Sequence, residues 1–195
     1  MNPKLIKELR EKTFAPILDC KAALEEAKGD IEKAIVILRE KGKASSKKFE
    51  ARVAKEGRIF SYIHHNGKLG ILLELNCETD FVAKTEEFKN LGKELCLQIA
   101  ASNPLYITPE DVSEKVILEE KDIIKAQFKD SKKPENVLEK IASGRLSKFY
   151  EENCLLSQPY IRDPKIKIKD LILETQAKFK EKLSISRFVL FKVSG

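Results

Sequence analysis

Catalytic motifs are what this sequence lacks: no nucleophile motif such as GxSxG or HExxH appears, and its carboxylates lie mostly on charged faces of predicted helices. Its two histidines, His64 and His65, are adjacent, and neighbours in a strand point to opposite faces, so they are not expected to bind one metal ion together. The segment from Gly42 to Ser45 faintly resembles a phosphate-binding loop, but Ile37 and Ala44 occupy positions where that motif needs glycine and a hydroxyl residue. We therefore expect no catalytic centre, no metal and no cofactor, and interpret the protein as a non-enzyme.

The four cysteines have no pattern typical of zinc sites or of a disulfide framework. No two of them form a CxxC pair, and each lies inside an apolar segment. The sequence therefore predicts four buried free thiols, at Cys20, Cys77, Cys96 and Cys154.

The most distinctive segment runs from Glu74 to Val82 and reads ELNCETDFV. A predicted strand ends here in a polar cluster, and Phe81 follows at the point where the chain leaves the sheet. In one interpretation, Thr79 caps the next helical turn, the Asp80 carboxylate interacts favourably with the N-terminal end of its dipole, and Phe81 packs in the core. In the other, Phe81 stays exposed and is presented to a partner. The chemistry of the segment alone leaves both interpretations open.

Composition limits the class of protein. The chain has 195 residues, 42% of them hydrophobic, which is enough for one medium domain and a small one. The net charge of +6 is spread through segments of mixed sign, which permits an acidic partner without requiring nucleic acid. The N-terminus is charged, and we find no run of about 18 apolar residues. We expect neither a signal peptide nor a membrane span. The expected location of the protein is the cytoplasm.

Three short helices are predicted in the first part of the chain. Asn2 and Pro3 are typical of a helix start, and Pro16 is predicted to open the second helix. Gly29 is expected to end that helix and Asp30 to cap the third, which should end near Gly42.

A basic segment, residues 41–58, follows the third predicted helix. It shows little apolar periodicity, so we interpret it as a linker or an exposed helix. Glu50 and Glu56 interrupt its charge, and Phe49 is its lone aromatic residue, which makes it a poor platform for nucleic-acid bases. An RNA-binding or ribosome-associated module using this segment remains the alternative function. Its basic residues are Lys41, Lys43, Lys47, Lys48, Arg52, Lys55 and Arg58.

The rest of the chain predicts a small antiparallel sheet covered by helices. Two β-branched runs, 57–64 and 68–76, flank Asn66 and Gly67, the strongest short hairpin signal. In the last predicted strand, 185–193, apolar residues occupy both alternating sets, so we expect it to be covered on both faces. The predicted fold class is α+β, with domains at 1–54 and 55–195. Helical spacing is seen around Phe88 to Leu95 and in Val116 to Phe128, Val137 to Tyr150 and Ile168 to Phe179.

These segments together resemble the elongation factor Ts family, whose signature includes a strand followed by Thr-Asp-Phe-Val. The matching segments occur in the family's order and cover essentially the whole chain. They are LREKT at 9–13, DCKAAL at 19–24, GDIEKAI at 29–35, REKG at 39–42, YIHHNGKLGILLELN at 62–76, ELNCETDFVA at 74–83, QPYIRDP at 158–164 and SRFVLFKV at 186–193.

The resemblance implies a guanine nucleotide exchange factor in translation. Such a protein binds the GDP form of elongation factor Tu, disturbs its Mg²⁺ and phosphate site, and promotes GDP release so that GTP can rebind. The implied exchange motif is Thr79, Asp80, Phe81 and Val82, with Phe81 inserting between two helices of the GTPase. The N-terminal bundle is expected to be similar to a ubiquitin-associated domain.

Two departures from the family pattern affect these expectations. Where the family has a glycine-rich turn, this chain has Phe14 and Pro16, which are expected to stiffen it. Ile17 and Leu18 still match the family's partner-contacting pair. The chain also has room for one of the two core halves found in long members, so the resemblance implies a homodimer and a two-plus-two complex with elongation factor Tu. Direct nucleic-acid contact is not expected.

Overall fold

The computed structural model describes residues 3–13, 15, 17–127 and 135–193. Within these residues the fold mixes helices with a small antiparallel sheet, as the predicted α+β class requires. The helices are α1 (Pro3–Thr13), α2 (Ile17–Glu26), α3 (Ile31–Glu50), α4 (Asp80–Lys84), α5 (Glu86–Ser102), α6 (Glu114–Gln127), α7 (Glu135–Asn153) and α8 (Ile168–Phe179), and the strands are β1 (Glu56–Ile63), β2 (Leu69–Cys77), β3 (Pro159–Tyr160), β4 (Asp163–Lys167) and β5 (Ser184–Lys192).

The first three helices pack around a small apolar cluster of their own. Leu9, Cys20 and Leu24 are fully buried in it. Asp30 caps α3 as predicted, because its side chain accepts a hydrogen bond from the backbone N–H of Lys33. Gly29, with φ of 86°, ends the turn after α2 in a conformation that favours glycine.

The expected end of the third helix near Gly42 is wrong, because α3 continues to Glu50. A single glycine inside a helix costs only about 1 kcal/mol, and tertiary contacts outweigh that cost here. α3 packs against α8, and Phe49 near its end is buried. The Arg52 guanidinium then lies 4.7 Å from the centre of the Phe49 ring. The basic segment is therefore partly a helix continuous with the bundle.

The main core lies between the three-stranded sheet and the helices behind it. The strand order is β1-β2-β5, with both pairs antiparallel, and the predicted hairpin is confirmed. Leu73 and Leu75 of β2 point inward and are fully buried, as is Phe88 of α5. Leu73 lies between Phe60 of β1 and Phe188 of β5 in the register, so the sheet is anchored on α5 by a continuous apolar layer.

The expectation that β5 is covered on both faces is wrong for this chain alone. A bulge opposite Glu74 and Leu75 makes room for one extra residue in β5, so that Ile185 lies on the inner face with Phe188. The outer face remains open. Its apolar side chains are Ile59, Ile63, Leu72, Val189 and Phe191, and each is at least 40% exposed. We call these five residues the outer patch.

A buried amide pair holds the loop that contains QPYIRDP. The Gln98 side chain donates to Gln158 Oε1 at 3.1 Å and accepts from the backbone N–H of Ile161 at 3.0 Å. Both glutamines are almost fully buried, so these bonds satisfy groups that would otherwise be costly to bury. Nearby, Glu94 accepts from Tyr160 and Arg162, and β3 and β4 form a two-stranded ribbon.

The predicted thiols are confirmed, since all four cysteines are buried and free. Burial raises the pKa of Cys96 to about 11, so this thiol stays protonated at neutral pH. In the part of the chain that the structure describes, every helix is too short or too polar to cross a membrane.

Gly92 permits the close approach of α5 to the sheet. A Cβ atom at this position would lie 2.4 Å from the Phe60 ring, whereas a Cβ at Gly144 in α7 would meet open space. Gly92→Ala should therefore lower the free energy of unfolding by about 1 to 2 kcal/mol. Gly144→Ala should raise it by about 0.5 to 1 kcal/mol through helix propensity. Urea denaturation followed by circular dichroism measures both, and a stabilised Gly92→Ala protein would contradict the packing described.

Candidate functional site

Phe81 lies in the first turn of α4, directly after the central strand of the sheet. Its side chain is 79% exposed, the highest value among the large apolar residues described. At this exposure the ring contributes little burial energy to its own chain. Of the two interpretations of this segment, the one that packs Phe81 into the core is therefore wrong, and the ring points to solvent.

Thr79 and Val82 fix the start of the short helix. The Thr79 side chain caps α4 by accepting from the backbone N–H of Val82 at 3.5 Å, so the predicted cap is confirmed. Val82 is 8% exposed and belongs to the main core. At the other end of α4, Thr85 donates its hydroxyl to Val82 O at 2.8 Å and also caps α5. The backbone around Phe81 is thus held on both sides.

Asp80 places a carboxylate beside the exposed ring. It pairs with Lys84 one turn later, and the hydrogen bond from that ammonium group lowers the pKa of the Asp80 carboxyl below its ordinary value. Asp80 also lies in the first turn of α4, where a negative charge suits the helix dipole. It is therefore ionised at neutral pH and accessible to a partner.

Two glutamates that the sequence reasoning missed hold this segment to the connection between α8 and β5. Glu181 accepts from the backbone N–H of Thr79 at 3.1 Å and from its hydroxyl at 2.7 Å. Glu78 accepts from the backbone N–H of Lys182 at 2.6 Å. The partners are 102 and 104 residues apart in the chain, so spacing along the sequence gives no signal for either contact.

Cys77 closes the buried side of the same turn. Its thiol donates to Thr79 O at 3.1 Å. Burial, and then the nearby Glu181 carboxylate, raise the pKa of Cys77 to about 11. This thiol is therefore a neutral structural group under the exposed segment and is not a nucleophile at neutral pH.

The candidate pair in the N-terminal module is accessible. Ile17 is 54% and Leu18 78% exposed at the start of α2, while Cys20 one turn later is buried in the bundle. The expected stiffening by Phe14 and Pro16 lies outside the described residues. The fold places Ile17 and Leu18 on a helix separate from α4, so they form an exposed apolar site apart from that of Phe81.

The structure describes only some side chains of the basic segment. Side chains of Lys43, Lys47 and Lys48 lie outside the described residues, so their role in RNA binding stays a prediction. Arg52 is engaged within the protein, because its guanidinium donates to Glu78 at 3.3 Å and to Lys180 O at 3.3 Å. Across the part of the chain that is described, no three His, Cys, Asp or Glu side chains are grouped to hold a metal ion.

Comparison with known proteins identifies the family. A sequence model of the family described as Elongation factor TS matches residues 4–195. Proteins named Elongation factor Ts from Thermoanaerobacter sp. and Thermotoga maritima are each 56% identical, over 192 and 189 residues. These alignments cover 98% and 97% of this chain and 94% of each relative. A protein of the same name from Thermodesulfovibrio yellowstonii is 56% identical over 193 residues, 99% of this chain and 96% of the relative. The chain therefore belongs to the elongation factor Ts family.

Proposed function

We propose that this protein is the guanine nucleotide exchange factor of elongation factor Tu, and that it acts by binding alone, without enzyme chemistry. It binds the GDP form of the GTPase, disturbs the Mg²⁺ and phosphate site, and promotes GDP release so that GTP can rebind. Because the proposed function is in translation, the proposed location is the cytoplasm. Direct contact with nucleic acid is not required.

The exposed ring of Phe81 is the observation that carries this proposal. An aromatic side chain on a fixed backbone loses little conformational entropy when it enters a partner's pocket. In the exchange motif, Phe81 supplies the apolar contact and Asp80 the charge directed at the segment that supports the metal ion. Thr79 caps the helix that carries them, and Val82 anchors that helix to the core.

The energy available from one ring is useful but limited. Complete burial of a phenylalanine contributes about 2 to 3 kcal/mol, which corresponds to roughly 30- to 100-fold in affinity if the ring is buried only against the nucleotide-free GTPase. GTPases hold nucleotide through the phosphates and through the bridging Mg²⁺. Because coupling between two ligands is reciprocal, a factor that binds the empty GTPase more tightly must weaken nucleotide binding by the same ratio.

The N-terminal bundle supplies further binding energy in this proposal. We assign residues 1–54 to a module similar to a ubiquitin-associated domain and residues 55–195 to the core. Ile17 and Leu18 would bury apolar surface on the GTPase at a distance from the nucleotide. Contacts there raise the affinity of the complex, while the segment around Phe81 converts that affinity into nucleotide release.

The outer patch supports a homodimer, giving a two-plus-two complex with the GTPase. A sheet face with five exposed apolar side chains is unusual for a monomer, and the same face on a second copy is complementary to it about a two-fold axis. Stacked sheets pack about 10 Å apart, which would cover β5 on its second face. Leu72 lies at the centre of the patch, between Ser61 and Val189 in the register.

Phe81→Ala should slow the stimulated release of GDP by about tenfold or more, because the ring buried against the empty GTPase is lost. Stopped-flow release of a fluorescent GDP analogue from elongation factor Tu measures this rate. Leu105→Ala is the matched control, since Leu105 is 68% exposed in the loop after α5. Circular dichroism should show both variants folded. A Phe81→Ala protein as active as wild type would refute the assigned role of the ring.

Leu72→Glu should convert the dimer to a monomer, since it places a charge at the centre of the proposed interface. Sedimentation velocity at about 10 µM, far above the dissociation constant of a tight homodimer, reports the mass directly. Leu105→Glu introduces the same charge at an exposed site outside the sheet and should leave the dimer intact. A wild-type protein that sediments as a monomer would exclude this interface.

A further inference from the structure

We infer that Glu181 is a positioning residue for Phe81, acting through the cap of α4. This inference deepens the proposed exchange function and rests on it. Glu181 is on the connection between α8 and β5, and both of its carboxylate oxygens are directed at one residue, Thr79. The carboxylate therefore fixes the position of the Thr79 backbone and the rotamer of its side chain.

The direction of these hydrogen bonds explains how the effect reaches the ring. The Thr79 hydroxyl donates its hydrogen to Glu181 Oε1 at 2.7 Å, which leaves an oxygen lone pair to accept from the N–H of Val82. Without Glu181, the hydroxyl is free to rotate and to turn its hydrogen elsewhere. The N-terminal cap of α4 then weakens, and Phe81 lies inside the turn that this cap closes.

The length of α4 makes the cap decisive. A helix of five residues has too few internal hydrogen bonds to be stable by itself. Its geometry depends on Val82 and Ala83 in the core and on the caps at its two ends. Since Phe81 is mostly exposed, its own side chain contributes little to holding this turn. Positioning by Glu181 reduces the conformational entropy that is lost when the ring enters the GTPase.

A second set of contacts fixes the connection that carries Glu181. Lys182 donates its backbone N–H to Glu78 at 2.6 Å and its ammonium group to Arg52 O at 2.7 Å. Arg52 in turn donates to Glu78 and to Lys180 O. The segment after α3, the segment before α4 and the connection before β5 are therefore joined at one place. Glu181 is held on a supported backbone, as a positioning residue requires.

Glu181→Ala should slow stimulated GDP release by about fivefold or more, and Glu181→Gln should stay within about twofold of wild type. The glutamine retains an oxygen for the Thr79 N–H. Its amide can donate to one lone pair of the Thr79 hydroxyl oxygen while the other lone pair still accepts from the Val82 N–H, so the rotamer and the cap are kept although the direction of that hydrogen bond reverses. Glu119→Ala is the matched control, because it removes a carboxylate from an exposed ion pair with Lys115 in α6. Equal rates for Glu181→Ala and wild type would overturn the inference.

A double-variant cycle separates positioning from general stability. If Glu181 acts through the ring, Glu181→Ala should cause no further slowing, within about twofold, in protein that already carries Phe81→Ala. Equal slowing with and without the ring would overturn the inference, since a loss of general stability affects both backgrounds.

Thr79→Val, which removes the hydroxyl but keeps the side-chain shape, should reproduce the Glu181→Ala rate if the effect passes through the cap. A wild-type rate for folded Thr79→Val would count against it.

A measurement on the free protein distinguishes failure of this inference from failure of the proposed function. Amide hydrogen exchange at Val82, followed by NMR, should accelerate by about tenfold in Glu181→Ala and remain near wild type in Glu181→Gln. If wild-type protein does not release GDP from elongation factor Tu, the proposed function fails and this exchange rate still decides the positioning role. Unchanged exchange at Val82 in Glu181→Ala would overturn that role whatever the GDP assay shows.

Discussion

An exposed aromatic side chain on a short helix can be presented to a partner in a fixed position only if contacts other than those of the ring hold its backbone. In this protein the constraint is met by the bonds from Thr79 to Glu181 and by the burial of Val82, on the inner side of α4. The helix starts where the central strand ends, so the sheet determines the position of Phe81. The central strand and the core contacts of Val82 and Ala83 therefore support this exposed turn.

The two apolar clusters of the protein are connected to each other. One lies within the first three helices and the other between the sheet and its covering helices. α3 spans both parts, since it contributes to the bundle and packs on α8. Beyond its end, Arg52 contacts Glu78, which immediately precedes the cap of α4. The module bearing Ile17 and Leu18 is thus joined to the turn bearing Phe81 through a defined set of contacts.

Local signals in the sequence predicted the elements well. Asn66-Gly67 located the hairpin, Asp30 the start of α3, and apolar spacing gave the bounds of α8. Signals failed where distant residues decide the outcome. The buried Phe49 and the packing of α3 on α8 carry the helix past Gly42, and a bulge in β5 changes which residues face inward. Glu181 could not be found, because its partner is 102 residues away and an isolated glutamate has no motif. The family resemblance indicated Phe81, while its exposure came from the structure.

In the proposed mechanism, the ring at position 81 is buried by the nucleotide-free GTPase and released when nucleotide binds. A 4-fluorophenylalanine at position 81, observed by fluorine NMR, reports this directly. The resonance should shift and broaden when nucleotide-free elongation factor Tu is added, and return toward its free position when GDP is added in excess. A resonance that is unchanged by the empty GTPase, while the complex demonstrably forms, would contradict the account.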